Sequence, residues 1–116
     1  MLSTKKLLTK ILKKTSGTYT YNTNNGTLVV SYVRCLWVVF ATFTVKNTST
    51  WSTGSGNRIT CTVDSHIPLP ASVVVGVELN GIFAHISGTT FRAQNNTGIT
   101  LPANNNYDIS MTYITL

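Results

Sequence analysis

The chain has 116 residues, of which 42% are hydrophobic and only 10% charged, and its formal net charge is +6. That length suits one domain with a core of its own, and the composition excludes a disordered polyelectrolyte. Three acidic residues and two histidines also leave little for acid–base catalysis.

The excess charge is local. Lys5, Lys6, Lys10, Lys13 and Lys14 fall in the first 14 residues; beyond them Arg34, Lys46, Arg58 and Arg92 face Asp64, Glu78 and Asp108, which leaves +1. Residues 3–14 place Leu7, Leu8, Ile11 and Leu12 on one side and the lysines largely on the other, the pattern of an amphipathic helix of about three turns. Ser3 or Thr4 caps its start, Lys13 and Lys14 suit its C-terminal end, and Ser16-Gly17 stops it. Residues 1–16 are therefore expected as a helical appendage and 17–116 as the main domain. So short a helix needs a surface: sister helices in an oligomer, its own domain or a membrane. The lysine face carries neither the interleaved aromatics and arginines of a nucleic-acid site nor the aromatic anchors of an interfacial helix, so neither nucleic acid nor membrane is the expected partner. No continuous apolar segment with a cleavage site marks a secretory signal.

Tyr19 and Tyr21 begin a short strand, closed by a turn at 22–26. From Leu28 to Val45 the chain is long and apolar enough for a membrane span to be considered, but Arg34, Ser31, Thr42 and Thr44 interrupt it and β-branched residues dominate. Two strands, 27–34 and 36–46, fit better, with Trp37, Val39, Ala41, Phe43 and Val45 on one face. Residues 47–57 form a Thr/Ser/Gly/Asn-rich loop around Trp51, which serves as a plug over the end of the fold or, less in keeping with its size, as a ligand platform together with Tyr107. Arg58–Val63 alternates as a strand.

After Ile67-Pro68-Leu69-Pro70, Val73, Val75, Val77 and Leu79 alternate with Val74, Gly76 and Glu78, and Asn80-Gly81 supplies a hairpin turn. Ile82, Ala84 and Ile86 alternate with Phe83 and His85 up to a break at Ser87-Gly88. Residues 95–98 and 102–106 are turns around a short strand at 99–101, and Tyr107, Ile109, Met111 and Tyr113 alternate with Asp108, Ser110 and Thr112. The sum is an all-β chain of about eight strands, an antiparallel β-sandwich or jelly-roll-like head behind a short N-terminal amphipathic helix.

Chemistry is sparse. Asp64, His66 and His85 do not match a metal-binding spacing, no Gly-x-Ser-x-Gly elbow or phosphate loop is present, and neither an enzyme nor a cofactor is expected. Cys35 and Cys61 could staple two strands, although buried thiols are the commoner arrangement. Asn25, Asn47 and Asn95 head glycosylation patterns that a chain so rich in Asn and Thr produces by chance, and they are read as turns.

The segments Leu-Ser-Thr-Lys-Lys-Leu-Leu-Thr-Lys-Ile-Leu, Gly17-Thr18-Tyr19, Asn25-Gly26 before Val29-Val30, the proline-rich lead-in and Tyr107-Asp-Ile-Ser-Met-Thr-Tyr-Ile-Thr115 together resemble the small C-terminal head domains of bacteriophage fibres and baseplates, of the tail-fibre receptor-binding or capsid head-fibre type. The resemblance implies a virion structural protein: a homotrimer with a jelly-roll-like head on a short helical stalk, in contact with other virion proteins and binding a host cell-surface saccharide. A stalk of this kind would bury Leu7, Leu8, Ile11 and Leu12 between subunits. The alternatives are an architectural capsid or neck decoration protein and a free lectin-like module.

Overall fold

A computed structural model describes residues 14–116; the expected helix, with Leu7, Leu8, Ile11 and Leu12, lies outside them. The described residues form eight strands: β1 (Lys14–Thr23), β2 (Gly26–Cys35), β3 (Val38–Asn47), β4 (Ile59–Thr62), β5 (Val74–Val77), β6 (Ile82–Ser87), β7 (Thr90–Asn95) and β8 (Asn105–Ile114), with one 3₁₀ turn at Ser55–Asn57. They make two antiparallel four-stranded sheets, ordered β1-β2-β3-β8 and β4-β7-β6-β5. Each sheet is a three-strand meander completed by a strand arriving from the other sheet, β8 beside β3 and β4 beside β7.

Period-two alternation gives each strand one inward face. Leu28, Val30, Val39, Phe43, Val45 and Ile109 from the first sheet meet Ile59, Ile82, Ala84, Ile86, Phe91 and Ala93 from the second in one core. Phe43 and Phe91 stack across the layers with ring centroids 5.4 Å apart. On the outer face of the first sheet, Thr18, Ser31, Thr42 and Ser110 sit opposite one another from strand to strand, a row of hydroxyls where another protein would place charges.

Several expectations change. Lys14, Thr15 and Ser16 pair with Cys35, Arg34 and Val33, so the tail of the expected helix and its Ser16-Gly17 stop are strand, because the long β2 offers partners that far. Trp37 leaves the face formed by Val39, Ala41, Phe43 and Val45. Cys35 pairs with Val38, which makes Leu36-Trp37 a two-residue turn with Leu36 at φ 55° and leaves Trp37 61% exposed. β7 was not legible as a strand, whereas of 99–101 only Leu101 pairs, in a single bridge to Trp51.

β5 is turned over. Gly76 faces inward, and Val75 and Val77 point to solvent. A Cβ at Gly76 would stand 2.7 Å from Ile109 Cγ2 and 3.0 Å from Met111 Cγ, so at this position β5 approaches β8 too closely for a valine, while Val74 at the start of the strand still packs against the core. The following turn needs positive φ only at Gly81. Cys61 is a free, buried thiol in the second sheet, so it does not staple to Cys35 in the first. The proline-rich lead-in is pinned to the end of β8: Tyr113 Oη donates to Pro68 O at 2.7 Å and Thr115 Oγ1 to Leu69 O at 2.6 Å. Burial pushes the Tyr113 phenol up to about 12.

Candidate functional site

The inward pattern of the second sheet dictates what its outer face shows. With Ile82, Ala84 and Ile86 turned into the core, β6 presents Phe83, His85 and Ser87; β7 presents Arg92 and Gln94 between the buried Phe91, Ala93 and Asn95. Register aligns Phe83 with Gln94, and His85 with Arg92 and then Thr60. Arg58 precedes β4 and reaches across, its Nε donating to Gln94 Oε1 at 2.9 Å. Arg58, Phe83, His85, Arg92, Ala93 and Gln94 line a groove of about 130 Å³.

Arg92 Nη2 lies 2.9 Å from His85 Nε2. A guanidinium has no acceptor and does not lose its proton, so His85 Nε2 accepts here and its own proton sits on Nδ1. Arg92 Nε is buried and has no hydrogen-bond partner, a group that proteins rarely leave unsatisfied.

No carboxylate of the chain neutralises these two arginines. Asp64 Oδ1 accepts from Tyr21 Oη and pairs with His66 Nδ1, Glu78 accepts from Asn80 N and Nδ2, and Asp108 accepts from Thr44 Oγ1. Among the described residues the ion pair present is His66 with Asp64. The groove therefore combines two cationic forks, a carboxamide, an imidazole and the partly exposed ring of Phe83: donors for an anion beside an apolar surface. Its residues come from β6, β7 and the residue just before β4, and their cooperation depends on register, which no local motif encodes.

Trp51 and Tyr107 do come together, edge to face with centroids 5.9 Å apart, but inside the fold. Trp51 is 1% exposed and its Nε1 donates to Asn57 O at 2.8 Å, so neither face of the indole is open to a ligand, and the plug is the role this position gives it. Around the plug, two buried asparagines tie the loops. Asn95 donates from Nδ2 to Trp51 O and Ile99 O, both at 2.8 Å, and accepts at Oδ1 from Thr97 N and Oγ1. Asn47 donates to Ser49 O and Pro102 O and accepts from Asn105 N. Both are 0% exposed, so neither is a glycan acceptor in the folded chain. Outside the plug, Asn24, Asn25, Ser49, Ser52 and Asn57 line an open polar depression that shares Arg58 with the groove.

Asp64 and His66 form a separate cluster. Tyr19 stacks on His66 with centroids 4.3 Å apart, which clasps β1 to the loop after β4. The hydrogen bond from His66 holds the Asp64 carboxyl below its ordinary value, and burial, with the Asp64 contact second, raises the Tyr21 phenol. His85 is not part of this cluster; its ring is engaged by Arg92. Among the described residues no group of three metal-ligating side chains converges, and no helix is long and apolar enough to cross a membrane.

No protein-family model matches the chain, and neither a curated protein nor a solved structure does.

Proposed function

We propose that this chain is a non-enzymatic adhesion module, a β-sandwich, jelly-roll-like head that attaches a larger assembly to surface saccharide, and that the groove on the outer face of the second sheet is its binding surface. The observation that carries the reading is the pair of unneutralised arginines set beside Phe83 and Gln94 on a rigid sheet. Sites built on strands hold their donors in place better than loops do. Placed with the resemblance to phage heads, the reading is a virion structural protein of the fibre or receptor-binding type, assembled as a homotrimer through Leu7, Leu8, Ile11 and Leu12. Three weak sites acting together supply the avidity that one small groove lacks.

A second reading, an architectural decoration protein, draws on the apolar surface at the β2–β3 turn, where Val33, Leu36, Trp37, Phe40 and Ile114 are all exposed and would suit contact with another virion protein. The two readings are separated by testing the full chain for binding to host cells and a glycan array, and by light scattering of the full chain and of a form lacking residues 1–13. The adhesion reading expects saccharide binding and a trimer that weakens on truncation. A monomer in both forms that binds no glycan and no cells would remove it.

A further inference from the structure

Resting on the adhesion reading, we infer that the groove takes the carboxylate of an acidic saccharide, with Arg92 and Arg58 as its cationic contacts and Phe83 as the surface for the sugar ring. Four observations lead there. First, all three carboxylates in the sequence are engaged elsewhere, so the anion that would balance these arginines comes from outside the chain.

Second, each arginine is partly held and partly open. Gln94 fixes Arg58 through Nε, and His85 fixes Arg92 through Nη2; Arg92 Nε is buried and out of a ligand's reach, so the spare donors are the Nη groups of Arg58 and Nη1 of Arg92. A side chain oriented by one hydrogen bond and left with spare donors is preorganised for a planar, bidentate acceptor, which a carboxylate is.

Third, the groove is small. At about 130 Å³ it falls well short of the roughly 300–1,000 Å³ of a pocket that encloses a whole ligand, and it suits one charged substituent with a ring face leaning on Phe83. Fourth, the surface that continues from it through Arg58 is lined by Asn24, Asn25, Ser49, Ser52 and Asn57. Neutral amides and hydroxyls pair with the hydroxyls of further sugars, whereas a peptide partner usually seats an apolar centre, which this depression does not offer. The ligand class is therefore a uronic or sialic acid within a longer glycan, anchored at Arg92.

The test is a titration of the full chain, followed by amide and arginine Nε NMR shifts, with glycosides of glucuronic acid and N-acetylneuraminic acid, their methyl esters, a neutral hexoside, a sulfated hexoside and a short glutamate peptide. The expected result is binding of the free acids about tenfold or more above the esters, the scale of one charge-assisted hydrogen bond. Arg92→Gln and Arg58→Gln should each reduce the acid to the ester's level, and Lys46→Gln, on the opposite sheet, should not. Arg92→Lys, which keeps the charge and loses the fork, should fall between; melting curves identify any variant that has lost its fold, and Arg58→Gln, at an exposed position, remains informative if Arg92→Gln has.

Equal binding of acid and ester, unchanged by either arginine variant, overturns the inference and leaves the adhesion reading standing. Preference for the sulfated sugar overturns the carboxylate, and binding of the glutamate peptide alone overturns the saccharide. If no sugar binds and host cells are not bound either, the adhesion reading falls as well.

Discussion

Asn95→Asp replaces one NH2 by oxygen at a fully buried site without changing its volume. The amide now donates to Trp51 O and Ile99 O at 2.8 Å each; a carboxylate would set an anionic oxygen against both carbonyls. Losing two donations costs about 2 kcal/mol at about 1 kcal/mol each. Avoiding the buried charge by taking up a proton costs at most about 4 kcal/mol at pH 7, from roughly 1.4 kcal/mol per pH unit above an unfolded carboxyl near 3.9. The protonated group recovers one donation. Thr97 N and Oγ1, which already donate to Asn95 Oδ1, would bind an ionised oxygen more strongly and so offset part of the loss, which puts the net destabilisation at pH 7 at about 3 kcal/mol, with about 5 kcal/mol as a ceiling. For a domain this size that lowers the melting temperature by roughly 12 °C.

The pH dependence has a definite sign. The folded state binds the new carboxyl's proton more tightly than the unfolded chain does. The penalty is therefore full at neutral pH and shrinks as pH falls through the unfolded value, toward about 1 kcal/mol near pH 3.5. Urea denaturation of both proteins at pH 7 and pH 3.5 measures it. A variant within about 0.5 kcal/mol of the parent at pH 7, the range of an inconsequential surface change, would refute the placement of Asn95 as the tie between the loops.

Gly26→Ala should cost about 3 kcal/mol or more in the same assay, since Gly26 has φ 113° and a Cβ there would stand 2.0 Å from Lys46 O, a backbone atom that cannot move aside. Gly76→Ala should cost less, about 1–3 kcal/mol, because the atoms it meets belong to the Ile109 and Met111 side chains. Asp64, held below the ordinary carboxylate value chiefly by His66, contributes stability that is present at neutral pH and lost as pH falls through its lowered folded value. The melting-temperature gap between the parent and Asp64→Asn should close in strong acid, and a gap constant with pH would contradict the clasp. Burial pushes the Cys61 thiol up to about 11, so peptide mapping after brief alkylation at pH 8 should find Cys61 unmodified until denaturant is added.

Alternation along the chain made the core largely readable: Val39, Ala41, Phe43 and Val45, then Ile82, Ala84 and Ile86, then Tyr107, Ile109, Met111 and Tyr113 are buried as their spacing requires. It failed where tertiary distance decides. β5 carries Val75 and Val77 outward while Gly76 and, beside it, Val74 face the core, because the approach of β8 leaves no room for a side chain at position 76, and Trp37 follows the turn rather than its strand. Thr90–Asn95 shows the same limit from the other side. Its inward set is Phe91, Ala93 and Asn95, one of them polar, and an asparagine that bonds the turn just after it through Thr97 and Ile99 resembles a loop residue in sequence, because its burial depends on the distant Trp51. The groove was invisible for a related reason. Arg58, His85 and Arg92 are 27 and 7 positions apart in the chain, and only the β4-β7-β6 order puts them side by side.

With a single ion pair among the described residues, the folded domain offers salt little to screen, while contacts from Arg58 and Arg92 to an external anion would weaken as the Debye length contracts from about 10 Å at 0.1 M to about 3 Å at 1 M. Ionic strength thus acts on recognition and hardly on folding: a wash with concentrated salt should strip an anionic glycan from this surface and recover the protein with its melting temperature unchanged.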